Sequence, residues 1–581
     1  MFWHSHKSRL EPWQRRWYRS AERYASMTHF QQMSSPSPDL PALRVEYQAL
    51  LDELREQPGV DALDRWDALR RRLYTWQSLA HVRFTLNTAD EEARAEKERV
   101  DQLGPQLEEL DNQIKALLLA PSYRAGIDDS YGEHLGALWE ADLKSFDPVI
   151  ADDRVAESKL VNRYTELLAS ARLPFRGETL SLSTIPRYGL DPDRGTRREA
   201  ELVKWAWFAE HGAELDELFD ELVKLRTEMA RKLGFDSYVE LGYLQMQRVD
   251  YGREDVKAFR AQVLAEVVPV VSRLRALQTE RLGLGSLKAW DMSTWDGDGN
   301  PRPAGDHDWM MEQASGMFDE LGPRFSEFFS VMRAAGLLDL KSKEGKAGGG
   351  YCTFFPDFDR PFIFANFNGT AQDVKVFTHE CGHAFQVWSS RAAPITDYLW
   401  PTYESAEIHS MSLEFLTWPW MDRFFGAEAE RFCWTHLAGA LAFLPYGVAV
   451  DEFQHRVYEN PEASPADRHA MWHDLERRYL PELDWDSLPY PAKGGRWQLQ
   501  RHIYHHPFYY IDYTLAQTCA LQFWLAARRD RGDAMERYHR LCGLGGAAPF
   551  KELVRSAGLR SPFAESCLSD VLEEAAGVLF D

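Results

Sequence analysis

The chain has 581 residues, 44% hydrophobic and 27% charged, a balance typical of folded globular proteins and long enough for two or more lobes. Its formal net charge of −23, from 90 acidic and 67 basic residues, speaks against nucleic acid or an anionic membrane surface as partner. The six cysteines form neither a CxxC knuckle nor a disulfide framework, which points to a reducing compartment and a cytoplasmic location.

In chain order, residues 1–26 are basic and aromatic and lack the apolar core of a secretory signal. Residues 28–39 are rich in Ser and Pro, so 1–39 is expected to be a disordered or loosely ordered extension. Leu43, Tyr47, Leu50, Leu51 and Leu54 then repeat with helical spacing, and Pro58 with Gly59 ends that helix. Helices over 61–86 and 90–119 follow, with Pro105 interrupting the second. Together with the mixed segment 120–195 they form an N-terminal helical lobe, 40–195. A long helical stretch at 197–233 opens a second region, 196–581. Further helices are expected at 236–247, 253–283 (kinked at Pro269), 306–320 and 323–336.

Residues 341–350 (KSKEGKAGGG) read as a flexible loop. The aromatic and β-branched runs 351–355 and 361–367 predict a β-hairpin, the clearest strand signal in the chain, with an edge that an extended peptide could join. Thr370 with Asp373 marks a helix start, and the helix should run over about 371–391. From 404 onward the chain is again mostly helical. No run approaches a membrane span; the most apolar, 437–450, is broken by Pro445 and Gly447 and reads as a core helix.

The 371–391 helix carries His379, Glu380, Cys381, Gly382 and His383, an HExxH pattern. Histidines four apart project from one helix face and can take two corners of a tetrahedral Zn²⁺ site, with Glu380 as general base to a water. The five residues are weak evidence by themselves, so a third ligand is needed. The next helical stretch, 403–415, carries Glu404, Glu407 and Glu414 on roughly one face with apolar flanks. Buried carboxylates want a cation. Glu407 is the preferred ligand, with Glu404 or Glu414 accepting from a ligand histidine and His409 as a rival. Cys381 reads as packing.

Residues 366–370 (NFNGT), Asp373, the HExxH helix and 406–411 (AEIHSM) together resemble the thimet-oligopeptidase-like zinc metallopeptidases, and are most similar to the oligoendopeptidase F branch. The resemblance extends over about 200–581. It implies one Zn²⁺ per chain held by His379, His383 and Glu407, with Glu380 as base. It also implies a mainly α fold: two helical lobes around a deep substrate channel, with a small β-sheet beside the HExxH helix. Residues 502–513 (HIYHHPFYYIDY) match the family's histidine and tyrosines that donate to an oxyanion. Tyr510 and Tyr513 match its tyrosine spacing; His502 fits with a one-residue deletion, His505 is the alternative, and Tyr509 is a third candidate donor. The expected function is endopeptidic hydrolysis of short unfolded oligopeptides. Two other readings are a zinc carboxypeptidase, in which Arg496 or Arg501 grips the terminal carboxylate, and a non-catalytic helical binding protein with a relic metal site.

Overall fold

The computed structural model describes residues 28–56 and 60–580, so the basic 1–26 segment and the helix stop at Pro58 and Gly59 lie outside it. The fold is mainly α-helical, with one two-stranded and one three-stranded sheet among the described residues. Two compact units are each built from three segments. The first takes the described residues up to Leu143, Pro303–Phe424 and Ala526–Leu559; the second takes Lys144–Arg302, Phe425–Leu525 and the residues from Arg560 on. The units thus interleave the chain, whereas the sequence suggests contiguous lobes at 40–195 and 196–581. The reason lies in polar ties within the first unit. Arg70 bonds both Asp67 and Asp397, at 3.0 and 2.7 Å, and Arg71 Nη2 donates to the Ala393 carbonyl at 3.0 Å.

In the first unit, helix Leu40–Glu56 buries the stripe Leu43, Tyr47, Leu50, Leu51 and Leu54. Helix Glu91–Leu118 starts on an Asp90 cap and continues through Pro105. The expected break is avoided because Asp101, whose carbonyl loses its partner at Pro105, is exposed to solvent. Residues 28–39, expected to be loose, are docked. The Phe30 N–H donates to Ala335 O at 2.8 Å, the Phe30 ring lies 4.6 Å from that of Phe362, and Met33 is buried with its carbonyl bonded by Arg83. Two apolar anchors hold a stretch whose composition otherwise reads as tail.

The sheet of this unit has the strand order Leu338–Lys341, Arg360–Phe367, Tyr351–Phe355. The antiparallel hairpin is as expected; the parallel strand Leu338–Lys341 is an addition, and it makes Arg360–Phe367 the buried centre. On the outer strand, side chains of alternate residues face two helices. Tyr351 and Thr353 bond Thr85 and Ser78 of helix Val60–Leu86, at 2.5 and 3.3 Å. Phe354 packs with Val387, on the helix that carries HExxH. The 341–350 loop is strapped down. Fully buried Lys346 Nζ donates to Asp339 Oδ1 (2.6 Å), Lys341 O (3.0 Å) and Ala365 O (2.5 Å), and Asn366 Nδ2 donates to the carbonyls of Ala347 and Gly349, both at 2.8 Å.

In the second unit, helix Arg194–Lys232 runs 39 residues on an Asp193 cap. The turn signal near Gly177 is a small hairpin, Leu173–Phe175 with Glu178–Leu180, whose turn residues Arg176 and Gly177 both take positive φ. Ahead of Pro269 the helix widens into a π turn, Val263–Val267, which accommodates the proline ring. Helix Ala429–Glu459 runs through Pro445 and buries Leu437, Leu441, Leu444, Val448 and Val450. A window within Tyr403–Glu459 is apolar enough to cross a bilayer by composition, and 61% of it is buried inside the protein, as in a core helix.

Candidate metal centre

The HExxH helix is Ala371–Ser390. Its start differs from a full capping box. Asp373 accepts the backbone N–H groups of Asn368 (3.0 Å) and Gly369 (2.6 Å), while the Thr370 hydroxyl turns to Asn368 Oδ1 at 2.8 Å. Its partner is helix Tyr403–Leu416, in which Glu404, Glu407 and Glu414 are all buried. Gly382 lets the backbones of the two helices approach closely at His409 and Ser410, two and three residues beyond Glu407.

Donor atoms of His379, His383 and Glu407 all lie within 4.8 Å of one another. Glu407 Oε2 is 3.3 Å from His379 Nε2 and 3.4 Å from His383 Nε2, with the imidazole rings at 82° to each other. The second nitrogen of His379, Nδ1, donates to Glu414 Oε1 at 2.8 Å, so Nε2 is the nitrogen that could hold a metal. Lys375 Nζ stands 3.6 Å from Glu414, and the Ser410 hydroxyl donates to Glu407 Oε2 at 2.9 Å. Glu404 Oε1 accepts from the Thr402 hydroxyl at 3.0 Å, while Glu414 is the carboxylate that bonds His379. His409 bonds the Ser405 carbonyl at 2.8 Å and does not join the cluster.

Charge is balanced locally. Burial disfavours the His379 imidazolium, but the Glu407 and Glu414 carboxylates outweigh it and raise its pKa well above the usual value. Burial also opposes ionisation of Glu407, yet His383 and His379 hold it well below the carboxylate range. Glu380 is buried and not paired in this way: burial pushes its pKa up, and its Oε2 has no hydrogen-bond partner. Two imidazole nitrogens and a carboxylate oxygen are the donor set of a catalytic zinc site, so the residues present fit that metal. Cys381 is buried, and burial raises its thiol pKa.

The His/Tyr block lies in the second unit. Around His502 stand Tyr510 at 5.1 Å, Tyr513 at 5.5 Å and Tyr509 at 5.6 Å between ring centroids. His502 Nε2 is 3.4 Å from the Tyr513 hydroxyl. His505 does not belong to this group. Its Nε2 bonds Thr165 Oγ1 at 3.1 Å, its ring meets Tyr164 edge-on, and burial lowers its pKa to about 3. Between His505 and the tyrosines the chain turns at Phe508, at a φ of 66°. Phe508 is locked there by Gln454, which accepts its N–H at 2.8 Å, and by Arg248, which bonds both the Phe508 carbonyl (2.6 Å) and the buried Asp512 (2.7 Å). Arg248, Gln454 and Asp512 escape a sequence reading because they are remote in sequence or hidden among aromatics.

Residues 188–571 match the sequence profile of the family described as Peptidase family M3, and residues 30–146 match its N-terminal domain. No curated protein sequence matches the chain. Among solved structures the chain is similar to Pz peptidase A determined with an inhibitor: 44% identity, TM-score 0.92, covering 95% of this chain and 99% of that one. A structure described as an oligoendopeptidase F gives 45% identity and TM-score 0.92, covering 95% and 98%. Another with that description, from Bacillus anthracis str. Ames, gives 42% and 0.88 over the same shares.

Proposed function

The chain belongs to peptidase family M3, in its oligoendopeptidase F branch, and is a metallo-endopeptidase; from that premise we propose that it cleaves internal bonds of short unfolded oligopeptides with one zinc ion held by His379, His383 and Glu407. The observation that carries the reading is the cluster of these three donors, with buried Glu380 on the turn between the two histidines. Bound there, zinc supplies Lewis acidity to a water and to the scissile carbonyl.

The chain's own residues do the rest. Glu380, in a buried setting that raises its proton affinity, takes the proton of the attacking water and delivers it to the leaving amine. Glu414 keeps His379 in one tautomer and orientation through Nδ1. His502, Tyr510 and Tyr513 donate hydrogen bonds to the oxyanion of the tetrahedral intermediate. The peptide lies extended along the outer strand Tyr351–Phe355, and the enzyme turns over peptides in the cytoplasm.

The carboxypeptidase reading loses one of its two anchors, since Arg496 is paired with Glu476 at 3.1 Å and stacked on Tyr446. The test is hydrolysis of an internally quenched peptide blocked at both ends. The wild-type protein should cleave it in a chelator-sensitive, zinc-restorable way, and Glu380→Gln should retain the metal and lose about 10²–10⁴ in kcat. Full activity in Glu380→Gln, or products released only from an unblocked C-terminus, would sink the reading.

A further inference from the structure

Gln500 opens the helix Arg501–His505 but makes no capping bond with its side chain. Both ends of its amide are used elsewhere. Oε1 accepts from the Tyr446 hydroxyl at 2.9 Å, and Nε2 lies 2.8 Å from His502 Nδ1. Tyr446 is fixed in turn: the Arg496 guanidinium lies 4.5 Å from its ring centroid, held by Glu476 at 3.1 Å, and its ring meets Tyr510 edge-on at 5.8 Å.

A glutamine amide is an acceptor at one end and a donor at the other. With Oε1 committed to Tyr446, the end facing His502 is the NH₂ group, and His502 Nδ1 must accept. A neutral imidazole that accepts at Nδ1 carries its proton on Nε2. That is the nitrogen 3.4 Å from the Tyr513 hydroxyl, on the side where the tyrosines gather.

We propose that Gln500, oriented by Tyr446, is a positioning residue that fixes His502 as the Nε2–H tautomer, so that this histidine enters the reaction as a neutral hydrogen-bond donor. The inference rests on the oxyanion role assigned above to His502, but the tautomer is measurable without it. A neutral donor of fixed direction suits an anion that forms transiently, because it needs no proton from solvent and no ring rotation at the moment of reaction.

The test is ¹⁵N NMR of the zinc-loaded full chain with ¹⁵N-imidazole-labelled histidine, the His502 signals being assigned from their loss in His502→Gln. The wild-type protein should show an unprotonated Nδ1 and a protonated Nε2. Gln500→Glu places an acceptor against Nδ1 and should move the proton there. At a pH where the spectrum shows His502 neutral, that variant should lose about 10²–10³ in kcat, the cost of one oxyanion donor, with KM little changed. A protonated Nδ1 in the wild-type protein would overturn the proposal without any variant having to fold, and so would a Gln500→Glu spectrum unchanged from wild type. Reversal of the tautomer with kcat intact would instead overturn the oxyanion role of His502 and leave the positioning assignment standing.

Discussion

Gly382 and Ser410 stand so close that a Cβ built on the glycine would lie 2.5 Å from the serine Cα and 2.6 Å from the carbonyl oxygen of His409. The variable position before the second histidine of HExxH is therefore not free here. The neighbour is backbone, and the His409 carbonyl is itself held by the Tyr538 hydroxyl at 2.9 Å, so it has little room to yield. Gly382→Ala should push the helices Ala371–Ser390 and Tyr403–Leu416 apart and carry Glu407 away from the histidines. We expect a stability loss of about 1–3 kcal/mol from overpacking, together with substoichiometric zinc, read by thermal unfolding and metal analysis. A Gly382→Ala protein that holds one zinc per chain with wild-type affinity would contradict the account.

Glu414 is not a donor in the metal cluster, yet it fixes the ring of His379 through Nδ1. Glu414→Gln keeps the shape and removes the charge. Zinc affinity should fall about 10- to 100-fold, the usual cost of losing a carboxylate behind a metal-bound histidine, while Glu407 remains in place. Competition with a chromophoric chelator measures this directly; an unchanged affinity would show that Glu414 serves packing alone.

Within the His/Tyr block the structure separates residues that look alike in sequence. Tyr510→Phe should lower kcat by about 10²–10³ with zinc content unchanged, whereas His505→Gln, at a site facing Thr165 and Tyr164, should leave kcat within about twofold. Steady-state kinetics on one quenched peptide compares them. The reverse ranking would move the oxyanion role to His505.

Much of this was legible in the sequence because the helices bury regular apolar stripes: the five residues of Leu40–Glu56 are all inside, and HExxH specifies its own local geometry. What escaped was set by partners distant in sequence. Lys346 belongs to a Gly-rich run that reads as mobile, and the fold brings Asp339 and the carbonyls of Lys341 and Ala365 around its Nζ, which no local pattern signals. Phe30 reads as tail because its partners, Ala335 and Phe362, are some 300 residues away (the order of the sequence gap between them), and Met33 reads so because Arg83, which bonds its carbonyl, lies on a separate helix. The choice between His502 and His505 depended on which way the chain turns at Phe508. That turn is imposed by Gln454 and Arg248, and no local pattern announces it.

The strapped loop predicts a local effect. Lys346 Nζ faces four carbonyl or carboxylate oxygens, from Asp339, Lys341 and Ala365, and its side chain is buried, so Lys346→Met keeps the stem and removes every one of those bonds. The carbonyls of Lys341 and Ala365 lose a donor, and the 341–350 segment should open without global unfolding. Limited proteolysis should cut the variant within 341–350 while the wild-type protein resists; equal resistance would show that the bonds from Asn366, Thr85 and Thr88 hold the loop without Lys346.

The last prediction concerns pH and Asp291, which is fully buried between Arg194 (2.8 Å) and Arg197 (2.8 Å) in the second unit. Burial pushes its carboxyl pKa up, but the bonds from Arg194, Arg197 and the Lys288 N–H outweigh it, and the net shift is downward. A carboxylate with a depressed folded pKa contributes stability that is fully present above its unfolded value, about 3.9, and is lost as pH falls through the lower folded value. Asp291→Asn should therefore cost about 3–5 kcal/mol at pH 7, since it leaves the buried Arg197 without its counter-charge. The difference between the two proteins should hold constant from pH 7 down to about 4 and shrink only below that. Chemical denaturation across pH 2.5–7 (roughly the window set by those pKa values) reads the gap, and a gap that closes near neutral pH would assign the stabilisation to a different group.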